Sequence, residues 1–486
     1  MIEIDIDNQG QALVRGDIFD EIREHFSVEN PGAKYQRRFN RFIPTRHYAI
    51  TPTGRCDIGL VPEITKYLAG KPYSDKINVS MSVHDALIPA RVWYSNKFTT
   101  DPYTLNISLR DYQEEIVKKC LEAGRGTVIL ATAGGKTLTM ASLISRVSTF
   151  YAGVKGLLIV PDRGLVEQTY NDFIEYKVPF SISKWTGDDD LDISSDIIIA
   201  NLGILQSCKS SIDWIRHIDL LVVDEVHKLR HGNKVNKIIK KIKTPLKFGF
   251  TGTMPEDKLD QWNIIGKIGP VLFERSSFDL RAENYIANAE IIKLQLVHAT
   301  TLRGVSDNKY RREVEYLIES KFRNDTIAKL ANKVSNNILI MVDFIRHGEA
   351  LYKACSDICT GKQVFFIRGE VEIEEREKIK QLVEQSTNIV VVAISKIFST
   401  GINIKNLHYI VFAGGGKAKI KVVQSIGRGL RLHKDKIKLI IVDIQDNFKY
   451  SLAHAAKRSL LYELEKIKSC TRELRETKEQ EKGTLR

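Results

Sequence analysis

TVILATAGGKT, residues 127–137, decides how the chain is read. Thr127, Val128, Ile129 and Leu130 are β-branched or apolar and predict a short buried strand. Gly134 and Gly135 break it, and Lys136 and Thr137 open an apolar run to residue 147, long enough for a helix. Strand, glycine turn and Lys-Thr at a helix start is the layout of a phosphate-binding loop. In such a loop the backbone N–H groups of Thr132, Ala133, Gly134 and Gly135 converge on one place, and the helix dipole favours an anion there. Lys136 would reach the terminal phosphates of a nucleotide, and Thr137 would set its hydroxyl on Mg²⁺. Two positions depart from the general pattern. Leu130 stands six residues before the lysine, where glycine is usual, and Ala133 stands where many related loops have another glycine. A G-K-T tripeptide alone also occurs in purely structural loops. The rest of the chain decides between the two readings.

Outward from the loop, strand-like runs alternate with helical stretches: 128–130, 156–160, 197–200, 220–223 and 248–251. A second series follows at 338–342, 363–367, 389–393, 409–412 and 438–442. Such alternation predicts an α/β chain with two parallel-sheet lobes in tandem. The lobes are expected at 103–288 and 289–450, after a small α+β N-terminal domain at 1–102 and before a charged helical tail at 451–486. Within the tail, 459–474 reads as one helix with Leu460, Leu461, Leu464 and Ile467 on a single face.

In the N-terminal domain, Ile2, Ile4 and Ile6 alternate with acids and predict an edge strand, and 18–26 a short helix. Residues 34–47, KYQRRFNRFIPTRH, hold Lys34, Arg37, Arg38, Arg41 and Arg46 without an acid, and Tyr35, Phe39 and Phe42 lie between them. Cations of this kind neutralise phosphates while aromatic faces stack on bases. The competing reading is a solvated strand whose aromatics face a core. The domain is expected to be separable, so that removing it leaves nucleotide hydrolysis in place.

A length of 486 residues allows about three domains. The formal charge of +13 favours a polyanionic partner, most commonly nucleic acid. No apolar run approaches the ~20 residues of a membrane span, and the N-terminus lacks a signal-peptide core, so a cytoplasmic location and no membrane partner are expected. Cys355 and Cys359 sit one helical turn apart but no second pair accompanies them, so reduced thiols are expected and not a zinc site.

Asp224-Glu-Val-His227 follows the apolar run 220–223. An acidic pair at the carboxyl end of a parallel strand points into the ligand crevice. Asp224 can hold Mg²⁺, and Glu225 can orient and deprotonate an attacking water.

With this pair the ordered motifs resemble the superfamily 2 helicases of the DExH kind, over roughly residues 105–445. The resemblance implies RecA-like lobes, ATP and Mg²⁺. LRDYQ at 109–113 resembles the segment ahead of the loop, with Gln113 reading the adenine edge. LATAGGKT at 130–137 resembles the family's A-P-T-G-S-G-K-T loop, which tolerates other residues at its start. IVPDRGLVEQ at 159–168 is similar to the motif that contacts the nucleic-acid backbone, which implicates Arg163. Thr251-Gly-Thr253 stands where the family has S-A-T, linking hydrolysis to strand movement. STGIN at 399–403 resembles the motif touching strand (Ser399, Thr400) and nucleotide (Gly401, Asn403). QSIGRGLR at 424–431 fits Q-x-x-G-R-x-x-R, and its Arg428 and Arg431 would meet the γ-phosphate from the other lobe, so that hydrolysis requires closure. The basic N-terminal stretch, FSTGINIKNLH at 398–408 and FFIRGEV at 365–371 are similar to phage UvsW-type branch-migration DNA helicases. That likeness implies single-stranded and branched duplex DNA as partner, a role in recombination, replication or repair, and the host cytoplasm. RNA or an RNA–DNA hybrid remains an alternative substrate, because such motors contact mainly sugar and phosphate. A non-catalytic nucleic-acid binding protein with a decayed nucleotide site is a second alternative, and a restriction-type duplex translocase a third, although the sequence carries no nuclease signature. No protein partner can be named from the sequence.

Overall fold

The computed structural model describes residues 1–7, 10–30, 32–72, 77–87, 105–150, 153–187, 189–207, 213–300, 309–368, 373–395, 404, 406–414 and 438–477. Contacts divide the chain into two compact units, Met1–Leu130 with Gly135–Arg275, and Ala131–Gly134 with Ser276–Arg486.

The N-terminal strands are β1 (Ile2–Ile6), β2 (Ala12–Gly16), β3 (Ser27–Glu29), β4 (Arg46–Tyr48), β5 (Arg55–Cys56) and β6 (Ile77–Val79). They form a four-stranded sheet, β5-β2-β1-β6, and a separate β3–β4 hairpin. The strand expected at an edge is interior, since β1 pairs with β2 on one side and β6 on the other. Alternating Ile and acid reports one buried face and says nothing of lateral neighbours. The second neighbour arrives only at Ile77. The core of this sheet also takes in Ile265 and Trp262 from the following lobe. Gly59 lies so close to the carbonyls of Ile265 and Gly266 that a Cβ there would come within 2.3 Å. Removing the N-terminal region would therefore uncover Ile265 and Trp262, so truncation is not the clean separation expected.

The first lobe carries β7 (Arg125–Leu130), β8 (Gly156–Val160), β9 (Ile182–Trp185), β10 (Ile197–Asn201), β11 (Leu220–Asp224), β12 (Leu246–Thr251) and β13 (Val271–Arg275). All pair in parallel, in the order β13-β7-β12-β11-β8-β10-β9. Every residue of β7, β8, β10 and β12 is buried. Both faces are covered by helices, which is why these strands are continuous apolar runs without alternation.

The second lobe carries β14 (Asn288–Val297), β15 (Ile338–Val342), β16 (Gln363–Ile367), β17 (Ile389–Ile394), β18 (Tyr409–Phe412), β19 (Lys438–Asp446) and β20 (Lys468–Arg475). This sheet is also parallel, in the order β16-β17-β15-β18-β19-β14-β20. Two α/β lobes in tandem after a small α+β region match the expected fold class. The tail departs from it. The helix Lys449–Leu464 stops at Leu464, Lys466 adopts φ 49°, and β20 joins the sheet edge beside β14. Of the four residues expected on one face, Leu461 and Ile467 are buried while Leu460 and Leu464 are exposed, so they do not form a single packed face. The main-chain groups of β14 instead recruit the segment as a strand. Its charged residues suit an edge exposed to solvent. Cys355 and Cys359 are packing residues of this lobe's core. Among the described residues no helix is long and apolar enough to cross a membrane.

Asn337, 1% exposed, precedes β15 and ties three crossover connections together. Its Nδ2 donates to the carbonyls of Val383, Ser386 and Asn406 at 2.8, 2.8 and 2.9 Å, and its Oδ1 accepts Ile389 N–H at 3.0 Å. Asn337→Ala would leave several buried backbone groups unmade. It is expected to destabilise the second lobe by about 2–4 kcal/mol, measured as a lower urea midpoint for this lobe's transition. An unchanged midpoint would mean that water replaces the amide without cost.

Candidate nucleotide and nucleic-acid site

The loop after β7 turns at Ala131, whose carbonyl accepts Gly134 N–H at 3.0 Å. Ala133 and Gly135 have φ 70° and 82°. Ala133 thus occupies the left-handed region at a position where related loops have glycine, at a cost of about 1–2 kcal/mol. At Gly135 the positive φ favours glycine, and a Cβ there would come within 2.3 Å of Gln113 Nε2 and push that carboxamide aside. Gln113 is buried; its Oε1 accepts Arg110 N–H at 2.9 Å and its Nε2 points at Gly135 O at 3.5 Å. Reading an adenine edge would require this carboxamide to turn. Lys136 and Thr137 begin the helix Lys136–Phe150, and Lys136 Nζ rests 3.4 Å from Leu130 O for want of a stronger partner.

Asp224 ends β11, and Glu225 follows in the left-handed region at φ 49°. Burial, then the neighbouring Glu225 charge, pushes the Asp224 carboxyl up. Burial also works to raise Glu225, but the Lys136 ammonium and the His227 side chain outweigh it and hold Glu225 ionised. The pair is thus divided into one readily protonated and one firmly ionised carboxylate. Among the described residues buried Thr132 Oγ1 has no hydrogen-bond partner, and Glu225 Oε2 lies 3.2 Å from His227 Nδ1 without a closer one. An unmatched hydroxyl, an acidic pair and a lysine that among these residues meets a carbonyl at 3.4 Å fit a phosphate with its Mg²⁺. Thr137 and Asp224 supply the hard oxygen donors such an ion takes.

His227, 4% exposed, connects this pair to the next strand end. Its Nδ1 lies 2.8 Å from Thr251 Oγ1, which itself donates to Thr253 O at 2.9 Å. With that hydroxyl proton committed, Nδ1 carries the ring proton and donates to Thr251. Glu225 Oε2 lies 3.2 Å from the same nitrogen. One ring nitrogen therefore joins Glu225 to the Thr251–Thr253 turn. No local pattern signals this link, because the two segments meet only when β11 pairs with β12.

Arg163 opens the helix Arg163–Glu175 behind the N-cap Asp162. Its guanidinium covers Gly187, where a Cβ would come within 2.2 Å of Nη2. The turn at Thr186 and Gly187 after β9 is thus adjacent to a residue expected to touch a strand, and the short β9 gave no motif by which to find it.

The basic N-terminal stretch forms the connection between β3 and β4, whose register is Val28 opposite His47. Tyr35, Phe39 and Phe42 are 65%, 80% and 95% exposed, which rules out the reading in which they face a core. Arg37, Arg38 and Arg41 are exposed beside them. Arg37 Nε also donates to Ile43 O at 2.8 Å, stiffening the tip. Arg46 separates from this group. It sits in the hairpin stem, donating to Ser27 Oγ and pairing with Glu24, both at 2.9 Å.

Two family models match the chain, the type III restriction enzyme res subunit over 106–256 and the helicase conserved C-terminal domain over 322–433. The ATP-dependent DNA helicase uvsW of Enterobacteria phage T4 is 29% identical over 454 residues, covering 88% of this chain and 87% of its own. The chain belongs to the superfamily 2 helicases. The DNA 3'-5' translocase XPB2 of Sulfurisphaera tokodaii is 25% identical to this helicase, covering 69% of it and 81% of the translocase. A fragment structure of a putative HsdR subunit of a type I restriction enzyme from Vibrio vulnificus shares the fold, with TM-score 0.56 at 15% identity, over 76% of this helicase and 70% of that chain. The remaining residues expected at the site, Ser399, Thr400, Gly401, Asn403, Arg428 and Arg431, lie outside the described residues.

Proposed function

We propose that this helicase hydrolyses ATP to move along DNA and that it remodels branched DNA. One arrangement carries the reading: a lysine at the head of a helix whose charge bears on two half-buried carboxylates at the end of β11, one raised and one held ionised. Thr132, Ala133, Gly134, Gly135, Lys136 and Thr137 would bind the phosphates, and Gln113 the base. Thr137 and Asp224 would hold Mg²⁺, which when bound neutralises charge on the phosphate oxygens. Glu225 takes a proton from the attacking water, whose oxygen bonds to the γ-phosphorus as the bond to the β-phosphate oxygen breaks and ADP leaves with the electron pair. Arg428 and Arg431 meet the charge spreading over the γ-phosphoryl oxygens. His227 passes the state of Glu225 to Thr251 and Thr253, which with Arg163, Ser399 and Thr400 we assign to the nucleic-acid strand.

DNA as the substrate is supported by the phage helicase and the archaeal translocase, both of which act on DNA. Action at branches is supported by the exposed aromatic tip between β3 and β4. An unwinding panel with forks, four-way junctions, tailed duplexes and RNA–DNA hybrids tests the reading. ATP-dependent product from forks or junctions is expected; ATP hydrolysis without product from any DNA would sink it.

Phe39→Ala/Phe42→Ala should weaken fork binding by about 10-fold or more, because stacking contributes roughly 1–3 kcal/mol per base. ATPase on saturating single strands should not change, and neither should stability, since both rings are exposed. Arg38→Ala/Arg41→Ala should flatten the salt dependence of fork binding by about two charges. Equal fork binding and equal salt slopes would make the tip a solvated loop.

A further inference from the structure

The first lobe holds a basic cavity at the opposite strand ends from the phosphate loop. Arg125 opens β7 and Leu130 closes it, so the two edges are roughly 16 Å apart along the strand. The cavity, about 410 Å³, lies where the N-terminal sheet meets this lobe, and Asp57, Arg125, Lys240, Lys243, Lys247 and Lys267 contribute to its wall. Five cations there face one carboxylate. Asp57 is already matched by Lys267 at 2.7 Å and Lys240 at 3.4 Å.

Arg125 and Lys247 are direct partners across β7 and β12. Like charges directly opposite in a sheet are destabilising, and these two are only 4% and 8% exposed. Arg125 donates to the carbonyls of Ile268 and Lys267 at 2.7 and 2.9 Å, and Lys247 to Ile242 O at 2.6 Å. Each therefore has a dipole for a partner and no carboxylate within ion-pair distance among the described residues. Burial and the neighbouring Arg125 charge push Lys247 down to about 7. Lys243, exposed at the mouth, has no partner among the described residues. A buried charge without a counter-charge is costly, and a polar cavity of this size gives an anion room to supply one.

We propose that this cavity binds a phosphate oxyanion, either a free phosphate or a phosphate of the DNA backbone, and that the bound anion fastens the N-terminal region to the motor lobe. The site is separate from the nucleotide site and does not depend on the assignment of Glu225 or of the branched substrate.

The test uses the full chain carrying Lys136→Ala, which disables the phosphate loop. Inorganic phosphate and pyrophosphate, compared with chloride at equal ionic strength, should raise the melting temperature by about 3 °C or more. Adding Lys243→Ala should cut that rise to half or less, and adding Lys247→Met should remove it. Lys243 is exposed, so its variant keeps the test open if Lys247→Met fails to fold. Salt slopes of duplex binding, measured without nucleotide, separate the sources. A slope reduced by about one in Lys243→Ala identifies a backbone phosphate; an unchanged slope with lost phosphate stabilisation identifies a free one. No phosphate-dependent rise with Lys136→Ala, or a rise unchanged by Lys243→Ala, would overturn the proposal. Helicase activity is not part of the readout, so its absence would bear on the proposed function alone.

Discussion

Glu225→Gln is expected to lower steady-state ATP hydrolysis by about 10²–10⁴-fold while ATP still binds. The amide keeps the length and shape of the side chain and the left-handed backbone of Glu225 but cannot take the proton from water. It also removes the Glu225 charge that helps to raise its neighbour, so the Asp224 carboxyl should fall back toward its ordinary range. The protein should bind at least as stably to nucleotide as the parent and accumulate in the ATP-bound state. DNA affinity should then be higher with ATP than without it. Turnover by phosphate release and DNA affinity by anisotropy, each with and without ATP, check both halves. Rapid turnover in this variant would transfer the base role to another group.

Lys136→Ala should reduce turnover by about 10²–10³-fold or more, with the fold intact. Two effects act together. The γ-phosphate loses its cation, and the acidic pair loses the charge that lowers both of its members. Glu225 should become easier to protonate, so residual activity should increase with pH where the parent's activity is flat. Lys136→Arg restores charge without the lysine's reach and should recover the pH profile more than the rate. Among the described residues the variant loses only a long contact to Leu130 O, so the melting temperature should change by no more than about 2 °C. Parent-level turnover in Lys136→Ala would mean that this loop does not bind the phosphates.

Most central strands were legible because strands covered on both faces must be apolar at every position. The runs 156–160, 338–342 and 409–412 coincide with β8, β15 and β18, and 363–367 with β16, an edge strand that is apolar after Gln363. The other edge strands were not legible. β9, β13 and β20 mix charged with apolar residues, as half-covered positions permit, and β20 exists only because β14 offers its free main-chain groups. The aromatic tip had two readings in the sequence. Exposure of Phe42 at 95% separated them, and the same folding withdrew Arg46 into the stem with Glu24.

By itself the sequence determined the layout on which the proposed nucleotide chemistry rests: a glycine turn before Lys136-Thr137 and an acidic pair after an apolar run are local patterns, spelled in consecutive residues because backbone geometry within a few positions makes them work. What only the tertiary structure decided were relations across the sheet. The contact of His227 with Thr251, the burial of Ile265 against the N-terminal sheet, and the facing of Lys247 with Arg125 join residues distant along the chain. Strand order and register bring them together, and these are set by long-range packing that no short window of residues records.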